Sequence, residues 1–224
     1  MLFFAVTSPL TALYTPEIME LVVPEVKDIV PEPTFTDAYA QWLKNLQQLG
    51  LFIWFAITAG LIAGERKAGT VQLVCTKPIS RATIVLAGAG AYITFFAIVL
   101  SFSSALVWLI TKLAFEKAPI PELASAVAVW FLLAVLLFGV VLIVSASTES
   151  SLAAVAAGFI SYVIFGLLSL WPAAERYSPI GLVTAPAKLL AGENIDLIWP
   201  IITGLLLILV LFAVAILAFR RAEL

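Results

Sequence analysis

Long apolar stretches without charge alternate with short polar segments along the chain. A hydrocarbon core of about 30 Å takes about 20 residues as a helix. Five stretches are long enough and contain no Asp, Glu, Lys or Arg: residues 46–64, 82–111, 123–148, 150–174 and 197–219. The pattern therefore predicts five transmembrane helices.

A sixth apolar stretch, residues 1–14, is shorter than a full span. As a helix it measures about 21 Å, and it lacks the basic beginning and the small-residue cleavage site of a secretory signal. We expect the outer part of a first membrane helix whose beginning is absent from this sequence. The predicted fold is thus an all-α integral membrane protein with about six spans in one transmembrane domain, residues 1–224.

The polar connections contain two amphipathic segments. Residues 35–46 favour a helix on the membrane surface, and residues 182–190 favour a short interfacial or re-entrant helix. Four tryptophans lie near the ends of spans on the same side as these segments, which is typical of an interfacial aromatic belt: Trp42, Trp108, Trp171 and Trp199. Ordinary packing of these rings is the alternative.

Composition agrees with a membrane protein and excludes other classes. Hydrophobic residues make up 63% of the 224 residues and charged ones 12%, against roughly 25% charged in soluble domains. The net charge of −2 gives no reason to expect a nucleic-acid partner. With no histidine and one cysteine, Cys75, we expect no catalytic site, no metal site and no bound cofactor in this chain.

Basic residues favour one orientation in the membrane. Residues 65–81 contain four basic side chains against one acid, and the tail adds Arg220 and Arg221. Basic residues near helix ends concentrate on the cytoplasmic side. We therefore expect a multi-pass protein of the cell membrane with this segment and the C-terminus in the cytoplasm.

The spans lack ionisable interiors, which argues against proton- or sodium-driven transport. Hydroxyls such as those of Thr58, Ser103 and Ser104 are expected to donate to helix carbonyls four residues earlier. Small residues at spacings of four (Ala154 and Gly158 among them) fit either packing within the chain or a subunit interface.

The segment 65–81 contains residues that favour a short helix between two spans. Gly69 permits a sharp exit from a helix, Thr70 can cap a short helix over residues 71–75, and Pro78 ends it. Ser80 is expected to cap the next span. The apolar residues of this short helix either dip into lipid headgroups or dock into a groove of a soluble partner.

The same segment resembles a known family. Glu65, Gly69-Thr70, Leu73, Lys77-Pro78 and Ser80-Arg81 are similar to the E-x-x-x-G-T-x-x-x-L-x-x-x-P-x-S-R pattern of ABC-2 type transporter permeases. Here Leu73 stands where the leucines of that family cluster, with Val74 beside it. The order of acidic loop, motif, three further spans and basic end is also similar. The departure is the short first span.

The resemblance implies a permease subunit of an ATP-driven transporter, usually an exporter. The chain has no G-x-x-x-x-G-K-[ST] loop, so two separate ABC ATPase subunits would bind ATP, and a second permease copy or a related chain would complete the complex. Residues implied to contact the ATPase are Glu65, Arg66, Lys67, Gly69, Thr70, Val71, Leu73, Val74, Lys77, Pro78, Ser80 and Arg81. A non-transport membrane scaffold or assembly factor is the alternative, and the cargo stays open.

Overall fold

The computed structural model describes residues 1–22, 32–67 and 80–221, and the regular structure in these ranges is helical. In chain order the α-helices are α1 (Leu2–Val22), α2 (Phe35–Asn45), α3 (Leu51–Lys67), α4 (Arg81–Ala114), α5 (Ile120–Ser147), α6 (Ser151–Leu168), α7 (Pro172–Tyr177), α8 (Ala185–Leu190) and α9 (Ile198–Arg221). A π-helix, Leu46–Gly50, joins α2 to α3, and a 3₁₀ helix, Pro179–Leu182, follows α7.

Four helices in the described ranges are long and apolar enough to cross a bilayer, namely α4, α5, α6 and α9. Four of the six predicted spans are therefore confirmed as helices long and apolar enough to cross a bilayer among the described residues. The predicted span 46–64 begins as the π-helix, which leaves α3 with 17 residues. The predicted first span forms α1, which contains Pro9 and Pro16 and continues past residue 14 into the acidic residues that follow.

The span predicted over residues 150–174 ends early, at Leu168. Pro172 lacks a backbone N–H and fits the first turn of a helix, so a new short helix begins there. The short helix predicted over residues 182–190 is α8, which begins three residues later than predicted, after the 3₁₀ helix has ended at Leu182.

The chain forms two compact units, which we describe separately. Unit 1 contains Met1–Gly50, Ile98–Ala128 and Pro186–Ile195, and unit 2 contains Leu51–Ala97, Val129–Ala185 and Asp196–Leu224. The long helices α4 and α5 contribute residues to both units.

Aromatic rings around Trp54 form the core of unit 2. The Trp54 ring stacks on Phe96 at a centroid distance of 4.2 Å and meets the edge of Phe138 at 5.2 Å. Its Nε1–H donates to the Ala134 carbonyl at 3.0 Å. These contacts tie α3 to both α4 and α5, and the stacked rings add to the burial of apolar area.

Close helix packing in unit 2 depends on small residues. Ala154 and Gly158 of α6 are buried, and a Cβ at Gly158 would lie 2.8 Å from Val141 and 2.9 Å from Phe55. The stripe that contains them therefore packs α6 inside the chain. Ala153, on the neighbouring stripe, is exposed.

Unit 1 contains α1 and α2, which pack on each other. Asn45 Nδ2 donates to Ser8 Oγ at 2.9 Å, and Asp37 Oδ2 accepts from the Thr34 backbone N–H at 2.8 Å at the start of α2. The predicted amphipathic helix over residues 35–46 is thus confirmed as a helix. Its buried residues include Trp42, so a lipid-facing belt position is wrong for this ring, whereas Trp171 and Trp199 are exposed as the belt requires.

Candidate functional site

The structure describes both ends of the predicted ATPase-contacting segment. The last turn of the helix α3 contains Glu65 and Arg66 and ends at Lys67, and α4 begins at Arg81. Residues 68–79 lie outside the described residues. The predictions for Gly69, Thr70, Val71, Leu73, Val74, Lys77 and Pro78 fall on them.

Ser80 caps the helix that follows the segment. Its Oγ accepts from the backbone N–H of Thr83 at 3.1 Å and shares a hydrogen bond with the Thr83 hydroxyl at 2.7 Å. The sequence prediction that Ser80 caps this span is confirmed. The cap gives one free N–H of the first turn an acceptor, and so fixes where α4 starts.

The two helices that flank the segment pack closely against each other. A Cβ at Gly88 of α4 would lie 2.9 Å from Leu61 Cδ1 of α3. Further along the pair, Trp54 stacks on Phe96. On the other side of α3, Ser145 of α5 donates its hydroxyl to the Ala59 carbonyl at 2.9 Å. A displacement of the segment would therefore reach three packed helices.

The Asp, Glu, Lys and Arg residues of the four candidate spans lie at helix ends. Glu122 is in the first turn of α5, and Lys112 is in the last turn of α4. The Lys112 ammonium lies 5.0 Å from the Trp108 ring centroid, a cation–π contact. No group of three or more metal-ligating side chains occurs in the described parts of the chain.

Two aromatic donors hold the connection between α4 and α5 in unit 1. Tyr39 donates its hydroxyl to the Pro119 carbonyl at 3.2 Å, and Trp108 Nε1–H donates to the Ala118 carbonyl at 2.9 Å. Burial, and then the nearby charge of Glu122, raises the pKa of Tyr39 to about 12. The phenol of Tyr39 therefore stays neutral at physiological pH and can donate its hydrogen bond to the Pro119 carbonyl.

Several buried polar atoms of unit 1 have no hydrogen-bond partner within the described residues. They include the hydroxyls of Ser103, Ser104 and Thr111 in α4 and Nε1 of Trp42. The expectation of bonds to helix carbonyls is wrong for Ser103 and Ser104, although it is correct for Thr58, which donates to Trp54 at 2.7 Å. Sequence reasoning missed this concentration, because it arises from two separate stretches of chain, α2 and α4.

These features define the class of protein: a multi-pass α-helical membrane protein, with four apolar spans among its described residues. The family described as "Protein of unknown function (DUF2705)" matches residues 26–224, so the chain belongs to that family. It is also similar to the "uncharacterized transmembrane protein YxlG" of Bacillus subtilis (strain 168). The two are 25% identical over 231 residues, which cover 100% of this chain and 89% of the relative.

Proposed function

We propose that the chain is the transmembrane permease subunit of an ABC-2 type ATP-driven transporter, and that it works as an exporter. One observation carries the proposal. The segment with the permease-like pattern joins α3 to α4, and these two helices pack directly on each other at Leu61 and Gly88. A partner that grips the segment would thus act on the packed bundle.

The energy for transport would come from outside the bilayer. Asp, Glu, Lys and Arg stand only at the ends of the four described spans, which leaves no carboxylate or amine to carry a proton or sodium ion along their interiors. Two separate ATPase subunits bind and hydrolyse ATP in this proposal. Their closure pushes the segment, and the bundle moves between two states that the nucleotide biases.

The full arrangement has six spans, with α1 and α3 crossing the bilayer in addition to α4, α5, α6 and α9. The chain lies in the cell membrane with the segment and the C-terminus in the cytoplasm, and a second permease copy or a related chain completes the complex. In the segment, Val71, Leu73 and Val74 would enter a groove of the ATPase. The basic residues Arg66, Lys67, Lys77 and Arg81 would meet its acidic rim.

The test is whether an ABC ATPase co-purifies with the chain from the membranes of its native host. Leu73→Asp places a charge in the proposed groove, so we expect the ATPase to be lost from the purified complex. The matched control is Leu170→Asp, at an 80% exposed leucine outside the segment, which should retain it.

A second variant separates assembly from coupling. Arg81→Glu reverses the charge of a residue that would meet the acidic rim of the ATPase. We expect this variant to uncouple the two activities, so that ATP is still hydrolysed but the substrate is no longer transported. Leu73→Asp complexes that assemble and couple normally would contradict the proposal. A chain that functions without any ATPase would favour the scaffold or assembly factor instead.

A further inference from the structure

A groove runs between α1 and α2 in unit 1. Its volume is about 350 Å³, within the range in which proteins hold small ligands. The helix α1 contributes Ala12, Thr15 and Pro16, the turn before α2 contributes Pro33, and α2 contributes Asp37, Ala40, Gln41 and Lys44.

The α2 residues of this groove lie on one face of the helix. Their spacing, i, i+3, i+4 and i+7, places them one above another along about two turns. The buried residues Ala38, Tyr39, Trp42 and Leu43 occupy the opposite side. The helix therefore uses its apolar face for the core of unit 1, while its polar face lines a cavity.

The groove carries opposite charges at its two ends. Asp37 and Lys44 are seven residues apart, which is about 10.5 Å of helix rise. Long side chains on a helix lean toward its N-terminus, so the Lys44 stem brings its ammonium closer to Asp37. Between them Gln41 supplies an amide, and Thr15 supplies a hydroxyl from the facing helix. This arrangement suits a ligand with an anionic and a cationic group.

A further acceptor comes from the backbone of α1. Pro16 has no N–H, so the carbonyl of Ala12 lacks its usual donor from four residues ahead. Ala12 itself lines the groove. A carboxylate and a carbonyl both accept hydrogen bonds, and so they favour an ammonium that still carries N–H groups. A quaternary ammonium is held by aromatic rings instead, and no aromatic side chain is among the groove residues.

The order of groups along the chain matches that of a phospholipid. The apolar run begins at Leu46, directly after Lys44 and Asn45, and Asp37 lies two turns before it. A lipid whose acyl chains lie beside that run would bring its phosphate to Lys44. An amine further from the hydrocarbon would reach Asp37.

We propose that this groove binds a phosphate ester that bears a primary ammonium group, the chemistry of a phosphoethanolamine headgroup. Lys44 pairs with the phosphate, Gln41 donates to its oxygens, and Asp37 accepts from the ammonium. None of the groove residues belongs to the ATPase-contacting segment, so this site goes beyond the proposed transport function and does not depend on it.

Native mass spectrometry of the full chain released from lipid nanodiscs tests the site. Nanodiscs would contain phosphatidylethanolamine mixed with phosphatidylcholine or with phosphatidylglycerol. We expect the ethanolamine lipid to be retained about tenfold more strongly than either, since each competitor loses one charge-assisted hydrogen-bonding group. Soluble glycerophosphoethanolamine forms a second arm: displacement of the lipid at equal concentration would identify a water-borne ligand, and failure to displace it would identify the lipid.

Variants assign the two charges. Lys44→Gln should weaken retention of all three lipids, because each carries the phosphate, while Asp37→Asn should abolish the preference for the ethanolamine lipid over both competitors. Because Asp37 also holds the start of α2, Ala40→Trp provides an independent variant that fills the groove and leaves both charges in place. Lys117→Gln, outside the groove, is the matched control. Equal retention of all three lipids by the unaltered chain, or a preference that survives Lys44→Gln, Asp37→Asn and Ala40→Trp, would overturn the proposal.

Discussion

At the scale of single residues, several side chains of the described helices donate hydrogen bonds to backbone carbonyls far along the chain. Trp54 donates to Ala134, Ser145 to Ala59 and Tyr39 to Pro119. The sequence predicts the local pairs, such as Thr58 with the carbonyl four residues earlier, because helix geometry fixes them. It does not predict the long-range pairs, because each depends on which helices become neighbours.

The titration of Tyr39 gives a pH-dependent stability. Its pKa is about 12 in the folded protein, against 10.0 for a free tyrosine. The folded state therefore holds this proton more tightly, so its contribution to stability is complete below about pH 10 and is lost as the pH rises toward 12. We expect the unfolding temperature in detergent to fall between about pH 10 and pH 12. In the Tyr39→Phe variant this fall should be smaller.

Glu122→Gln tests the cause of that shift. Removing the carboxylate charge should lower the pKa of Tyr39 part of the way, because burial is the larger cause. A tyrosinate absorbance titration measures the pKa directly. If Tyr39→Phe leaves the titration curve and the loss of stability unchanged, the assignment to Tyr39 is wrong.

At the scale of helices, the apolar pattern predicted most ends of the four long spans to within three residues. The exception is the C-terminal end of α6. It did less well where the local backbone departs from an α-helix. The run 46–64 looked uniform in sequence, yet it begins as a π-helix, and such segments have no marked hydropathy signal. The early end of α6 follows from Pro172, whose effect a hydropathy window averages away.

The start of α4 gives a prediction for one helix. Ser80→Ala removes the side chain that accepts from the Thr83 N–H, and loss of such a cap costs about 0.5–2 kcal/mol. Hydrogen exchange at the Thr83 amide should accelerate accordingly, with little change in the middle of α4.

Ser80→Asp is the matched control, because aspartate also serves as a cap. It should keep the amide protected. Equal exchange in the Ser80→Ala and unaltered chains would show that the cap does not stabilise the first turn.

At the scale of the whole molecule, the sequence predicted a helical membrane protein, and the four apolar helices and the transmembrane relative agree. The candidate contact segment was predicted from its pattern alone, and residues 68–79 lie outside the described part. The groove between α1 and α2 was not predicted, since it needs two helices separated by an acidic, proline-rich connection to pack together. Their contact is a tertiary property, and neither helix signals it alone.

The proposed orientation is tested with the single cysteine, Cys75. If the segment faces the cytoplasm, a membrane-impermeant thiol reagent should label Cys75 in inside-out vesicles and not in intact cells. A variant with Cys75→Ser and a new cysteine at Glu193, in a segment assigned to the other side, should show the reverse. Labelling of Cys75 in intact cells would contradict the orientation and the ATPase contact together.

The bonds that join α3 to α5 also constrain how the protein is made. The Ala134 carbonyl that receives the Trp54 N–H is synthesised 80 residues later, and Ser145 follows Ala59 by 86 residues. At about 5–20 residues per second, α3 waits roughly 4–17 seconds for these partners. During that interval a nascent chain holds an unmatched indole donor, so ribosomal pauses before α5 would prolong the time for which it is exposed to membrane proteases.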